Sequence, residues 1–207
     1  MFYEIIENRK QIRWYDQNRT PDKSLINECL CKTYTAVASK QNLMPYKVWA
    51  IGPFNKELNQ GLYDISAAGV SKVRANYNLL TAPYQFIYTV RLATPNSKVA
   101  SDMSSGHIQP PVDPNLYKNR STIKNTNIEI GMHATILSKI LIEHGLDVSY
   151  TLCFQDWEHR TDLWQEKGFD FIDDEVQFIM SAGYPDLERY QESTEDKPNI
   201  TEVVEWI

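Results

Sequence analysis

The sequence predicts an α+β or three-layer α/β domain, because segments with strand spacing alternate along the chain with segments of helical spacing. Residues 46–51 alternate apolar and polar side chains, as a half-buried strand does. Residues 84–92 are rich in aromatic and β-branched side chains, which is typical of a buried strand. Residues 127–144 have the spacing of a long helix. Since no repeat or linker divides the chain, we expect a single domain over residues 1–207.

Two helices are predicted in the first quarter of the chain. Residues 2–10 carry apolar side chains at helical spacing. The second helix is predicted to begin at Pro21, with Thr20 as its N-cap and Asp22 facing the positive end of the helix. Its apolar face continues to residue 33.

The middle of the chain is less regular. After the predicted strand at 46–51, a Gly-Pro pair ends the pattern, and the polar stretch 55–80 is predicted to be helical. Residues 94–121 contain four prolines and have no clear periodicity. A connection of this length in a compact domain is usually functional or mobile, so we expect a loop or lid there.

The second half begins with the predicted helix at 127–144, which Gly145 ends. Two further strands are predicted at 147–154 and 176–182. The end of the chain, 199–207, is apolar and amphipathic, which is unusual for a frayed terminus. We therefore expect it to dock, with a partner subunit as the candidate surface.

Composition restricts the class of protein. The chain has 207 residues, 42% of them hydrophobic and 23% charged, as in an ordinary globular domain. A net charge of −6 argues against nucleic acid as a partner, and no apolar run has the length of a membrane span. Three cysteines cannot all pair, and the start of the chain lacks the apolar stretch of a signal peptide. These features predict a reduced, cytoplasmic protein.

Two short motifs point to a function. Residues 9–13 place three cations and an amide within five positions, and residues 38–45 form a small polar turn closed by Pro45. Cations followed by a polar turn suit a ligand with a phosphate and a planar ring, because the cations bind phosphate and short side chains let the ring approach. Taken singly, each motif has a simpler interpretation, a solvated helix end and an ordinary turn.

In this order, the motifs resemble those of the nitroreductase family of FMN-dependent oxidoreductases. That family has an Arg-x-Ser-x-Arg motif followed by a Pro-Ser-x-x-Asn-x-Gln-Pro-Trp turn. Arg9, Gln11 and Arg13 occupy the first motif, whereas Ala38, Ser39, Asn42, Met44, Pro45 and Tyr46 occupy the second. Gln11, Ala38, Met44 and Tyr46 depart from the family residues, which are Ser, Pro, Gln and Trp.

The resemblance extends over most of the chain. The helix closed by Gly145-Leu146 is similar to the long central helix of the family, and Gly183-Tyr184-Pro185 is similar to the end of its late strand. Lys197 matches a basic residue near its terminus. The resemblance implies a three-layer α/β/α sandwich with a central, mostly antiparallel sheet. It also implies a homodimer that binds FMN at the subunit interface.

Ten residues receive cofactor-binding roles from this resemblance. The phosphate is bound by Arg9, Lys10 and Lys197, and the ribityl chain or phosphate by Gln11. Arg13 lies at the pyrimidine edge of the ring, and the backbone amides of Leu152 and Cys153 face N5. The residues that reach the flavin from the other subunit are Ala38, Ser39 and Asn42. Asn78 is a further candidate for a ring-edge contact.

The implied function is an FMN-dependent oxidoreductase that carries hydride from NAD(P)H through the flavin to a nitroaromatic, a quinone or a similar acceptor in a ping-pong cycle. The flavin carries the chemistry, so we expect no catalytic side chain. Two alternatives stay open: a flavin-binding or sequestering protein with little or no turnover, and a structural dimer that has lost FMN.

A metal site is not expected. Cys29 and Cys31 are two positions apart on a helix and face different ways. His133 and His144 are eleven positions apart, too far along one helix to hold the same ion. Trp157, Trp164 and Phe169 are interpreted as core or interface aromatics rather than a substrate box.

Overall fold

A central four-stranded sheet with helices on both faces organises the chain. The computed structural model describes residues 12–39, 42–66, 76–91, 97–106, 120–152, 161–172, 175–189 and 200–205. The elements in these ranges are α1 (Lys23–Ala36), β1 (Tyr46–Ile51), α2 (Lys56–Ile65), α3 (Asn78–Thr81), β2 (Tyr84–Val90), α4 (Ser97–Ser104), α5 (Arg120–Glu143), β3 (Asp147–Thr151), α6 (Thr161–Glu166), β4 (Val176–Gly183) and α7 (Ile200–Val203).

The sheet has the strand order β1-β2-β4-β3, and every neighbouring pair is antiparallel. Strand β2 is buried along its whole length, as its aromatic and β-branched sequence predicts. In the register, Ile87 of β2 lies opposite Trp49 on one side and Ile179 on the other. The predicted α+β class with an antiparallel sheet is confirmed.

One face of the sheet is covered by α5 and α1. Ile130, Ala134, Leu137 and Leu141 recur at intervals of three and four along α5 and are all buried. They join the core cluster that contains Phe86 of the sheet. This spacing places one apolar stripe of α5 against the strands.

The other face is covered by α2, α3 and α6. Leu62, Trp164 and Phe169 are fully buried there in one cluster with Ile87 and Ile179. The rings of Trp164 and Phe169 meet edge to face, with centroids 5.4 Å apart. Both aromatics therefore belong to the core, one of the two roles that their apolar character predicts.

The start of α1 differs from the prediction. The helix begins at Lys23 with Asp22 as the extended N-cap, and not at Pro21 after Thr20. The cause is a tertiary contact: the hydroxyl of Tyr84 donates to the carbonyl oxygen of Pro21 at 3.0 Å. The first helical hydrogen bond consequently runs from the amide of Ile26 to the carbonyl of Asp22.

The segment 94–121 is more regular than predicted where the structure describes it. It contains α4 and the first residues of α5, which begins at Arg120 and so extends seven residues further toward the N-terminus than predicted. Polar residues fill 120–127 apart from Ile123, so apolar periodicity gives little sign of the first turns. A helix extends cheaply from a packed segment, which accounts for the added turns.

The stretch 55–80 contains two helices, α2 and α3, with 67–75 outside the described residues. The side chain of Asn55 caps α2 by accepting from the amide of Leu58 at 3.1 Å. Position 61, inside α2, has no room for a larger residue, because a Cβ on Gly61 would lie 2.8 Å from the carbonyl oxygen of Lys167. The predicted helix at 2–10 also falls outside the described residues.

Strand β1 has its predicted bounds. The described part of β3 ends at Thr151, three residues before its predicted end, and 153–154 are not described. Cys29 is buried and Cys31 is exposed, so the two thiols do face different ways. None of the helices in the described ranges has the length and apolar character needed to span a bilayer.

His133 is buried between α5 and the sheet. Its Nδ1 lies 3.0 Å from the hydroxyl of Tyr88, and its ring meets the rings of Tyr46 and Tyr88 edge on. Burial lowers the pKa of His133 from its ordinary 6.5 to about 4. The folded protein therefore holds this imidazole neutral under conditions in which the unfolded chain would protonate it.

This histidine predicts a loss of stability in mild acid. Below pH 6.5 the His133 imidazole binds a proton in the unfolded state, whereas in the folded state it binds one only near pH 4. The free energy of unfolding therefore falls as pH drops from 6.5 toward 4. We expect wild type to lose about 2 kcal/mol more unfolding free energy than His133→Gln between pH 7.5 and 5. Urea unfolding at the two pH values measures this difference. Parallel losses in the two proteins would contradict the assignment.

Candidate functional site

The segment that carries Arg13 is anchored to the end of β4. The amide of Asp16 donates to the carbonyl of Tyr184 at 2.9 Å, and the amide of Asp186 donates to the carbonyl of Trp14 at 3.1 Å. The carbonyl of Arg13 itself accepts from the hydroxyl of Thr81 at 3.4 Å. Arg13 is therefore an exposed residue on a backbone that these hydrogen bonds hold in place.

An aromatic stack lies beside this segment. The ring of Trp14 stacks on Tyr77 with centroids 4.5 Å apart, and Tyr77 in turn stacks on Tyr63 at 6.2 Å. The guanidinium of Arg189 lies 5.0 Å from the centre of the Trp14 ring. The stack ties the Arg13 segment to α2 and α3. No local sequence pattern indicates this stack, since its three rings are far apart in sequence.

Tyr15 enters the protein from the same segment and is 1% exposed. Its hydroxyl donates to the carbonyl of Ser181 at 2.9 Å and lies 3.1 Å from Oγ of Ser149. Burial raises the pKa of the Tyr15 phenol far above its ordinary value. Tyr15 is therefore a neutral hydrogen-bonding group that joins the segment to β3 and β4.

Asn78 joins α3 to the same two strands. Its Nδ2 donates to Oγ1 of Thr151 at 2.9 Å and to Oγ of Ser181 at 3.0 Å. Ser181 in turn donates to Gln85 at 2.7 Å. Asn78, the further candidate for a ring-edge contact, thus has its side-chain nitrogen in a buried network, and no sequence motif marks that network.

The end of β3 is open to solvent. Thr151 is buried in the network, whereas the next residue, Leu152, is 70% exposed. The residue that the resemblance implies as a backbone donor to N5 therefore lies at the surface, directly after the buried network. Cys153 lies outside the described residues.

The turn at 38–45 has a defined internal structure. The hydroxyl of Ser39 accepts from the amide of Met44 at 2.8 Å, and the carbonyl of Ser39 accepts from the amide of Asn42 at 3.1 Å. Asn42 and Met44 have φ values of 53° and 47°, in the left-handed region. Asparagine adopts this conformation readily, whereas methionine does so at a cost. Ala38 and Asn42 are exposed.

Arg91 holds this turn in place. Its Nε donates to the carbonyl of Met44 at 2.8 Å and its Nη2 to the carbonyl of Leu43 at 2.9 Å. Its backbone amide donates to the carbonyl of Pro45 at 3.1 Å. These bonds offset the strained backbone at Met44. Arg91 was not predicted to have this role, although a cation directly after a buried strand indicates a need for hydrogen-bond acceptors nearby.

The two motifs lie at opposite ends of the sheet. Tyr15 bridges to Pro185, next to the end where Gly183 pairs with Asp147. The turn leads into Tyr46, which pairs with Val90 at the other end. Strand β2 spans this interval, and six steps of about 3.4 Å separate its ends by about 20 Å. One chain therefore does not bring the Arg13 segment and the turn at 38–45 together.

Arg13, Ala38, Ser39, Asn42 and Leu152 are the predicted site residues that the structure describes. Arg13 and Leu152 adjoin the two ends of one buried network, through Tyr15 and Thr151 respectively. The others belong to the distant turn. Arg9, Lys10, Gln11, Cys153 and Lys197 lie outside the described residues.

Comparisons with known proteins agree on the architecture. No protein-family model and no curated protein matches the sequence. Solved structures do match: the NfrA1 nitroreductase from B. subtilis superposes with a TM-score of 0.69 at 15% identity, over 100% of this chain and 73% of that one. A nitroreductase family protein from Streptococcus pneumoniae matches with a TM-score of 0.68 at 15% identity, over the full length of both chains.

A third similar structure is a candidate nitroreductase from Exiguobacterium sibiricum in complex with FMN. It matches with a TM-score of 0.68 at 17% identity, over 100% of this chain and 97% of that one. Identities this low establish the fold and leave the function to the site. The chain therefore has the nitroreductase fold.

Proposed function

We propose that this protein is an FMN-dependent oxidoreductase that takes hydride from NAD(P)H and passes it to a nitroaromatic, a quinone or a similar acceptor by a ping-pong cycle. One observation carries the proposal: Arg13 is an exposed cation on a backbone that three hydrogen bonds near it hold to α3 and to the residues directly after β4. The FMN complex of a protein with the same fold supports it.

The residues present fit a flavin. FMN, when bound, supplies a ring that accepts and releases hydride. Arg13 would stabilise the negative charge that gathers at the pyrimidine edge of the ring on reduction. Backbone amides directly after Thr151, at Leu152 and Cys153, would donate at N5. Arg9, Lys10 and Lys197 would neutralise the phosphate, with Gln11 along the ribityl chain.

A second copy of the chain would complete the site. Since the turn with Ala38, Ser39 and Asn42 lies about 20 Å from the Arg13 end of the sheet, it would reach a flavin held by Arg13 only from a partner subunit. An apolar stripe on α5 supports a homodimer, because Ile128 is 54% exposed and Met132 is 39% exposed beside an open Gly131.

The C-terminal segment gives a test of this dimer. Ile200, Val203 and Val204 are 72%, 71% and 47% exposed, so the described chain leaves their apolar surface uncovered. We expect deletion of residues 200–207 to raise the dimer dissociation constant at least about tenfold, since several apolar contacts of about 1 kcal/mol are lost.

Sedimentation velocity over a nanomolar to micromolar series measures the constant. Leu187→Ser is the matched control, because Leu187 is 78% exposed and lies outside the segment. If the protein without residues 200–207 stays dimeric at nanomolar concentration, the proposal that this segment docks on the partner subunit is wrong.

A binding protein with little turnover is the second candidate. Gln11, Ala38 and Met44 all depart from the nitroreductase motifs at positions that face the flavin in that family. Loss of selection on catalysis would concentrate changes there. Under this alternative FMN binds but NAD(P)H does not reduce it at a useful rate.

Initial-rate kinetics separates the two candidates. NADPH or NADH is varied at several fixed concentrations of a quinone, and the initial rates are plotted as double reciprocals. A ping-pong enzyme gives parallel lines. Intersecting lines would contradict the ping-pong cycle, and bound FMN without oxidation of NADPH or NADH would favour the binding protein.

A further inference from the structure

We propose that Tyr15 and Asn78 are positioning residues that fix the Arg13 segment and the end of β3 relative to each other, and so set the preference of the site for reduced over oxidised flavin. This inference rests on the proposed function. It concerns residues that would touch no ligand and act through the buried network.

The network occupies one part of the sheet face. Gln85, Ser149, Thr151 and Ser181 are buried on the same face as Ile87 and Ile179, which lie in the apolar part of that face. Buried hydroxyls in a sheet core are costly unless they are bonded. Here each of the three hydroxyls has a hydrogen-bond partner, and two of the partners come from outside the sheet.

Those two partners are Tyr15 and Asn78, and both meet at Ser181. Tyr15 bonds its carbonyl oxygen and Asn78 bonds its hydroxyl oxygen, at 2.9 and 3.0 Å. Gln85 closes the ring of contacts, because its Nε2 donates to the carbonyl oxygens of Asn78 and Leu79 at 3.2 and 3.1 Å. A change in the position of Tyr15 would therefore affect Asn78 through Ser181, and the reverse also holds.

Short chain segments connect the network to the proposed flavin contacts. Arg13 is two residues from Tyr15, and the carbonyls of Arg13 and Trp14 are both hydrogen-bonded. On the other side of Arg13, Ile12 is 4% exposed and holds the segment against the core. Leu152 directly follows Thr151, the hydroxyl of which is bonded to Asn78. A change in the position of the Tyr15 hydroxyl would therefore alter the position of Arg13, and a change at the Thr151 hydroxyl would alter that of Leu152.

The same bonds would exist if the network served stability alone. The two roles predict different effects on the flavin. If the network positions the flavin contacts, loss of one of its hydrogen bonds changes the flavin midpoint potential more than loss of a comparable hydrogen bond elsewhere in the core does. The chain offers two matched controls. Tyr84 donates from a buried phenol to the Pro21 carbonyl at 3.0 Å, as Tyr15 does to Ser181. Thr89 accepts from Trp49 at 3.1 Å, as Thr151 does from Asn78.

The experiment compares Tyr15→Phe with Tyr84→Phe, and Thr151→Val with Thr89→Val, in the full-length protein reconstituted with FMN. Each variant loses one buried hydroxyl and keeps its shape. The flavin midpoint potential is measured by equilibration with a reference dye, visible circular dichroism reports the setting of the ring, and urea unfolding reports stability.

We expect Tyr15→Phe and Thr151→Val each to lower the ratio of reduced to oxidised FMN affinity about tenfold, which is about 30 mV for a two-electron couple. The controls should change it less than about threefold while losing similar stability. If Tyr15→Phe does not fold, the threonine pair decides the question.

Two results would overturn the inference. If wild type binds FMN and the four variants shift its potential alike, the network is structural and the proposed function stands. If wild type binds no FMN, the proposed function and the inference fall together.

Discussion

Arg13→Ala is expected to weaken FMN binding by about ten- to a hundredfold. A charge-assisted hydrogen bond contributes about 1.5–3 kcal/mol, and this range corresponds to those factors in the dissociation constant. The anchored backbone makes the effect specific to the side chain, because the hydrogen bonds of Trp14 and Asp16 remain in the variant. Titration of FMN into the apoprotein, followed by quenching of flavin fluorescence, gives the constant.

Arg19→Ala is the matched control for this experiment. Arg19 is an exposed arginine of the same region, and its guanidinium lies 3.8 Å from the centre of the Tyr184 ring. Its loss changes net charge as much as the loss of Arg13 does, but removes no proposed flavin contact. Equal affinities for FMN in the two variants would remove Arg13 from the site.

Gly183→Ala is expected to destabilise the fold by about 3 kcal/mol, at the upper end of the usual cost of overpacking. A Cβ at this position would stand 2.5 and 2.8 Å from two ring carbons of Pro83 and 2.9 Å from Cδ1 of Tyr15. Neither neighbour yields easily, since the proline ring is rigid and Tyr15 is held by the network. Urea unfolding at one fixed protein concentration measures the change.

Gly131→Ala provides the contrast in the same assay. Within one protomer a Cβ on Gly131 meets nothing within 4 Å, and the residue lies inside α5. At a protein concentration at which the chain is monomeric, alanine there should therefore raise stability by up to about 1 kcal/mol. A Gly183→Ala protein with wild-type stability would show that β2, β4 and the Tyr15 segment are less tightly joined than the structure has them.

Elements with strong local patterns could be predicted from the sequence. The alternation of 46–51 gave β1 its observed bounds, and the aromatic run gave β2 its buried character. The start of α1 could not be predicted, because a hydrogen bond from Tyr84, 63 positions away, engages the Pro21 carbonyl. The first turns of α5 lack an apolar stripe, so periodicity had little to detect.

The candidate site was accessible to the sequence only in part. The order of the two motifs indicated the family whose fold the chain shares, and Ser39 accepts hydrogen bonds from the amides of Asn42 and Met44 within the second motif. The buried network was not accessible, since Ser149 and Ser181 have the residue type that usually faces solvent in a strand. Arg91 was missed because its partners, the carbonyls of Leu43 and Met44, are backbone groups.

The visible absorption spectrum of the purified protein, recorded before and after anaerobic addition of NADPH or NADH, is the decisive measurement for the proposed flavin chemistry. We expect a yellow protein, or one that becomes yellow on reconstitution with FMN, that bleaches when the nucleotide is added. A protein that stays colourless after incubation with excess FMN and gel filtration would contradict it.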